Sequence, residues 1–142
     1  MRLLSLALLA VLVLVAAGCG GGGKKEPTPE DIVRTAVIAL GKGDAQGVCD
    51  ELNGDAKRKL VAGLRTGPQG LPKIVSTNCV DGITKVFAKL PAPIRAQLAK
   101  GKVDKATITG DTATVRVSLT TLRTELARTN GKWLISGGFF EK

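Results

Sequence analysis

The chain has 142 residues, 44% hydrophobic and 23% charged, the balance of a globular protein with room for one domain. Its formal charge is +9, from 21 lysines and arginines against 12 acids, and it contains no histidine and no tyrosine. Without histidine a zinc site lacks ligands, and one Trp with three Phe offers few stacking platforms for single-stranded nucleic acid.

Met1-Arg2 is a minimal basic start, and Leu3 to Val15 is apolar except for Ser5. As a helix that run is about 20 Å long at ~1.5 Å per residue, against a hydrocarbon core of ~30 Å. It therefore suits a signal-peptide core better than a permanent span. Ala16-Ala17-Gly18-Cys19 follows and resembles the bacterial lipobox, with Ala16 where that motif usually carries Leu. The resemblance implies a diacylglyceryl group on the Cys19 thiol, cleavage before Cys19, and residence on the extracytoplasmic side of a cell membrane. The alternative is a plain secretory signal with an incidental cysteine. Two or more acyl chains, at roughly 0.8 kcal/mol per buried methylene, hold a protein on a bilayer stably.

Residues 1–18 are thus expected to be a signal peptide and 19–28 a lipid-anchored flexible linker. Gly20 to Gly23 and Lys24-Lys25-Glu26-Pro27 cannot bury a core. Removing the first eighteen residues takes only Arg2 out of the charge count, so the mature chain stays strongly basic. Such a charge draws a protein to anionic lipid or wall polymer without defining a site. Export itself argues against a nucleic-acid partner.

Residues 29–142 are expected to form one α+β domain. Thr28 can cap a helix, Pro29 fits its first turn, and Glu30 and Asp31 suit its positive end. Ile32, Val33, Ala36, Val37 and Leu40 recur at helical spacing until Gly41 and Gly43. Asp44 can cap a second short helix with Val48, Cys49 and Leu52, which Asn53-Gly54 breaks. Asp55 can cap a third, with Leu60 and Leu64 on one face and Lys57, Arg58 and Lys59 on the other. Thr66 to Pro72 reads as a loop. From Thr77 or Asn78, the residues Val80, Ile83, Val86, Phe87 and Leu90 mark a fourth helix. Pro91 and Pro93 interrupt it before a last turn or two within Ile94 to Lys100.

After Gly101 the period becomes alternating. Lys105 to Thr109 and Thr112 to Thr120 read as strands joined at Gly110-Asp111, with Ala113, Val115, Val117 and Leu119 on one face. Thr121 to Arg128 is a third strand. Asn130-Gly131 is a type I′ turn signature leading into Lys132-Trp133-Leu134-Ile135-Ser136, and Gly137-Gly138 allows a bulge before Phe139-Phe140.

Setting Cys19 aside leaves Cys49 and Cys79, an even number in an oxidising compartment. A disulfide between the second and fourth helical segments is expected, worth about 3–4 kcal/mol in the chain-entropy account. Two buried free thiols are the alternative.

Helices followed by a meander ending in Asn130-Gly131-Lys132-Trp133-Leu134-Ile135-Ser136-Gly137 resemble the nuclear transport factor 2-like superfamily. The resemblance spans Pro29 to Lys142. It implies N-terminal helices packed on a bent antiparallel sheet that wraps the first helix into a cone. Enzymes of that superfamily pair a carboxylate base with Tyr, Asp or His in the cone, and this chain has neither Tyr nor His to supply the donor. Asp44, Asp50, Asp55, Asp81, Asp104 and Asp111 read mostly as caps or turn residues, as does Glu51. Glu125 sits mid-strand, with Arg123 and Arg128 as surface ion-pair partners. No nucleophile elbow or phosphate loop is present.

No catalytic residue, cofactor or metal is therefore expected, and an enzyme with an atypical site is the lowest-ranked alternative. The leading expectation is a membrane-anchored, non-catalytic module. It would bind a small apolar ligand or an envelope protein at the mouth of the cone, with Trp133 as pocket wall. The other is an envelope interaction protein using Arg116, Arg123, Arg128 and Lys132 against anionic polymer or lipid, unless those four are an ordinary solvated face.

Overall fold

The computed structural model describes residues 23–67, 70–118 and 120–140. The expected signal peptide, Cys19, Gly20 to Gly22, Pro68 and Leu119 lie outside them, as do the last two residues. Five helices precede four strands: α1 Pro29–Lys42, α2 Ala45–Asp50, α3 Gly54–Thr66, α4 Cys79–Lys89, α5 Ala92–Leu98, then β1 Thr107–Thr109, β2 Thr112–Arg116, β3 Arg123–Thr129 and β4 Lys132–Gly137. The domain is α+β, with an antiparallel sheet in the order β1-β2-β3-β4.

Local signals account for most helix starts. At α1 the Thr28 hydroxyl accepts from the Asp31 N–H at 3.3 Å, and the Asp31 carboxylate accepts from the Thr28 N–H at 3.0 Å. This reciprocal pair satisfies two amides that the first turn cannot bond internally. Asp44 caps α2 and Asn78 caps α4 through their side-chain oxygens.

Other starts and stops depart from the expectation. Asn53, not Asp55, caps α3, its Oδ1 accepting from the Ala56 N–H at 2.8 Å, so Asn53-Gly54 opens a helix rather than merely breaking one. Asp55 instead bonds Arg58 on the helix surface. The first helix passes through Gly41 and ends at Gly43. A Cβ on Gly41 would lie 2.3 Å from the Ala99 backbone nitrogen, so the bare α-carbon lets the end of α5 press against α1. Leu90 is the cap of α4, and Pro93 sits inside the first turn of α5, which starts before Ile94.

Leu52 leaves the second helix altogether. It forms a parallel bridge with Ile135, whose N–H donates to the Glu51 carbonyl at 2.8 Å while the Asn53 N–H donates to the Ile135 carbonyl at 2.9 Å. Two backbone bonds thus stitch the α2–α3 junction to β4.

The strands are shorter than alternation alone suggests. β2 stops at Arg116, and Val117 continues only as a bridge to Val103. β1 begins at Thr107, where the chain is held by the Ala106 N–H donating to the Glu30 carboxylate at 2.8 Å. Between β3 and β4, Leu126 pairs with Ile135 but Glu125 pairs with Gly137, leaving Ser136 as the extra residue of a bulge. A bulge bends its strand. Beside it Gly138 has φ +77°, and a Cβ there would lie 2.0 Å from the Arg123 carbonyl oxygen.

The helices cover one face of the sheet. Val115, Leu126 and Ile135 from the sheet and Val33, Val37 and Val48 from the helices are all at most 2% exposed in one continuous core. Burying each such side chain is worth roughly 1.5–3 kcal/mol. Cys49 and Cys79 are bonded, with Cα atoms 6.1 Å apart, joining the end of α2 to the start of α4. Among the described residues no helix is long and apolar enough to cross a membrane.

Candidate binding clefts

Both two-residue turns, Gly110-Asp111 and Asn130-Gly131, lie at the same end of the sheet, and the Arg128 N–H donates to the Asp111 carbonyl at 2.8 Å. Asn130 adopts φ 50° and Gly131 φ 76°, the left-handed pair that a type I′ hairpin needs. At this turn end a cleft of about 700 Å³ opens between the sheet and the chain entering α1. Pro27, Ile32, Trp133 and Leu134 supply its apolar walls, and Glu51 with Lys132 its charged ones.

Trp133 is a wall of this cleft, as the sequence suggests, and is otherwise buried. Arg128 pairs with it across the ladder and lays its guanidinium over the indole, 4.7 Å from the ring centroid. That contact fixes the ring and covers one of its faces. Glu51, which reads from sequence as a cap or turn residue, is half-buried beside the cleft. Burial raises its carboxyl above the ordinary glutamate range, and the nearby Asp50 charge adds to the effect. A carboxyl perturbed by burial in a cleft marks a candidate site. The cleft offers Asn130 and Lys132 as donors, with no hydroxyl or imidazole among its lining residues.

A second groove, of about 860 Å³, runs along the outside of the helical layer between α3 and the first turn of α4. Val61, Val80 and the Cys49–Cys79 bridge form its floor, and Lys57 and Arg65 stand on its α3 rim. The sequence puts Lys57 on the helix face opposite Leu60 and Leu64, with no site assigned to it. The spacing Lys57, Val61, Arg65 was the available signal: positions four apart on a helix share one stripe.

The four cations proposed as one basic surface do not form one. Arg116 and Arg123 sit directly opposite each other on the face away from the helices, at the end of the sheet far from the turns. Arg128 lies on the helix-covered face over Trp133, and Lys132 lines the cleft. Glu125 faces Thr114 across the ladder, and no ion pair among the described residues joins it to Arg123 or Arg128. No cluster of three or more potential metal ligands occurs among the described residues. No protein-family model, no curated protein and no solved structure matches this chain.

Proposed function

We propose that this chain is an exported bacterial lipoprotein, held on the outer side of a membrane by lipid on Cys19. Its α+β domain, of the nuclear transport factor 2-like kind, is a non-catalytic module for a small apolar ligand. The observation that carries the binding reading is the cleft at the turn end of the sheet. Its walls are mainly apolar, a few polar groups converge on it, and the only Trp of the chain lines it. Sites of that make-up are the usual hosts of small ligands. Glu26 and Pro27, the last residues before the α1 cap, also line the cleft. Eight residues from Cys19 to Pro27 span at most about 28 Å, so a lipidated Cys19 keeps the cleft close to the bilayer, where apolar ligands collect. An antiparallel sheet packed on the first helix and bent at the Ser136 bulge supports the superfamily reading.

Because Trp133 is the only Trp, its fluorescence reports directly on the cleft. Titrating the full chain with the neutral probe N-phenyl-1-naphthylamine should give saturable energy transfer from Trp133 that survives high salt. Pro27→Asp, on the wall that faces Trp133, should weaken it. Absence of saturable transfer sinks the small-ligand reading. For the anchor, Cys19→Ser should release the protein from the membrane fraction or leave it uncleaved, whereas normal processing and membrane residence of that variant would refute lipidation.

One observation favours a second reading, an envelope protein that uses the Arg116–Arg123 pair. Like charges directly opposite in a ladder are destabilising, yet Arg116 faces Arg123 with no acid between them. Binding of anionic polymer through that pair would fall steeply as salt screens it. Arg116→Ser should then abolish it while leaving the Trp133 signal intact.

A further inference from the structure

The α3–α4 groove has chemistry that the Trp133 cleft lacks. Its floor is apolar, because Val61 and Val80 are only half-buried and turn their remaining surface into the trough beside the disulfide. Its rim carries an excess of positive charge, with Lys57, Arg58 and Arg65 against Asp81. Arg58 is bonded to Asp55, and Asp81 is bonded to Lys85 at 2.9 Å, so the acids of the neighbourhood are engaged. Lys57 and Arg65 form no ion pair among the described residues. They stand two helical turns apart, about 12 Å at ~1.5 Å per residue, with Val61 midway between them.

We propose that this groove docks an acidic amphipathic segment of a partner protein. An apolar stripe of the partner covers Val61, Val80 and the bridge, while two acids spaced like Lys57 and Arg65 meet those cations. The trough is open along its length, which suits a helix laid in a groove better than an enclosed small molecule. Within the trough Cys49 and Cys79 are 2% and 7% exposed, whereas Arg65 beside them is exposed. A bilayer surface would reach Lys57 and Arg65 without covering Val61 and Val80, so the floor selects a protein over lipid head groups. The site is separate from the Trp133 cleft and stands whether or not that cleft binds a ligand.

The test uses the full chain in a neutral detergent and a fluorescein-labelled peptide with leucines on one helical face and glutamates two turns apart, followed by anisotropy. Saturable binding is expected, with at least roughly tenfold weakening in the doubly reversed Lys57→Glu, Arg65→Glu protein. Lys57→Arg should retain binding. The same peptide with lysine in place of glutamate should not bind. Any one of three results overturns the proposal. The first is no saturable binding of the acidic peptide. The second is an equal loss in Arg116→Glu, on the far face of the sheet, which would make the attraction a general effect of charge. The third is displacement by dihexanoyl phosphatidylglycerol as efficient as by unlabelled peptide, which would assign the groove to lipid head groups. Circular dichroism of each variant, together with an unchanged response of Trp133 to N-phenyl-1-naphthylamine, separates a groove effect from a folding defect.

Discussion

The helical layer and the sheet are held in different ways. The helices are fixed mainly from within, by side-chain caps one turn away and by a covalent bridge between α2 and α4. Among the described residues the sheet has no covalent tie. It is fixed by its ladder, by apolar burial against the helices, and by backbone bonds from Ile135 to Glu51 and Asn53. A region built from local rules should lose stability in separable steps, whereas one built from long-range pairing should fail wherever its register is disturbed.

The largest effect should come from the bridge. Cys49→Ala or Cys79→Ala should cost about 2–5 kcal/mol in denaturant unfolding, as removal of a native disulfide from a small domain does. The corresponding damage to the sheet comes from a single methyl group. Gly138→Ala must hold a positive φ and move a Cβ away from the Arg123 carbonyl oxygen, at a cost of about 2 kcal/mol or more. If hydrogen exchange then shows β3 and β4 opening while α1 to α4 stay protected, the two regions are separable. Simultaneous loss of both would show that the helices depend on the ladder.

The capping assignment gives a smaller and sharper contrast. Asn53→Ala should destabilise by about 1 kcal/mol, while Asp55→Ala, which removes only an exposed ion pair, should cost well under that in thermal melts. Equal effects would return the cap to Asp55. Smallest is the response to pH. The Glu51 carboxyl is raised by burial, so the folded protein binds its proton more readily than the unfolded chain. Stability should therefore rise as pH falls from neutral through the folded value of Glu51. Glu30, Asp31 and Asp81 are shifted the other way. The first cause at each is a hydrogen bond, from Ala106 N–H to Glu30, from Thr28 N–H to Asp31 and from the Lys85 ammonium to Asp81. Their contributions are present above the unfolded carboxylate range and are lost as pH falls through the depressed folded values. A shallow maximum on the mildly acidic side should appear in melting temperature against pH, and Glu51→Gln should flatten its neutral side.

What was legible in the sequence follows the same division. The Thr28 cap and the Asn130-Gly131 hairpin are decided within a few residues, and the sequence carries them in full. The pairing of Cys49 with Cys79 followed from parity once Cys19 was set aside. Leu52 was misplaced because its spacing from Val48 and Cys49 is helical, and only burial against Ile135, from the other end of the chain, draws it into an extended bridge. The strand after Thr112 ends early because pairing with β3 stops at Arg116, a limit set by the partner strand. The same blindness affected the site. Trp133 was identified from its chemistry, but Glu51 belongs to its cleft only through the register of β4, and Arg128 shares its face only because Thr129 pairs with Lys132.

The pairing of Glu51 to Asn53 with Ile135 also bears on how the protein behaves in a crowd. An outer strand exposes a row of amides and carbonyls that can recruit a strand from another molecule, the first step toward aggregation. At β4 the Ile135 amide and carbonyl, midway along the strand, are already spent within the chain. At the opposite margin β1 is only three residues long, Thr107-Ile108-Thr109, too short to template a long ladder. Neither margin invites a neighbouring copy to add a strand, so this sheet can be concentrated on a surface without zipping into its neighbours.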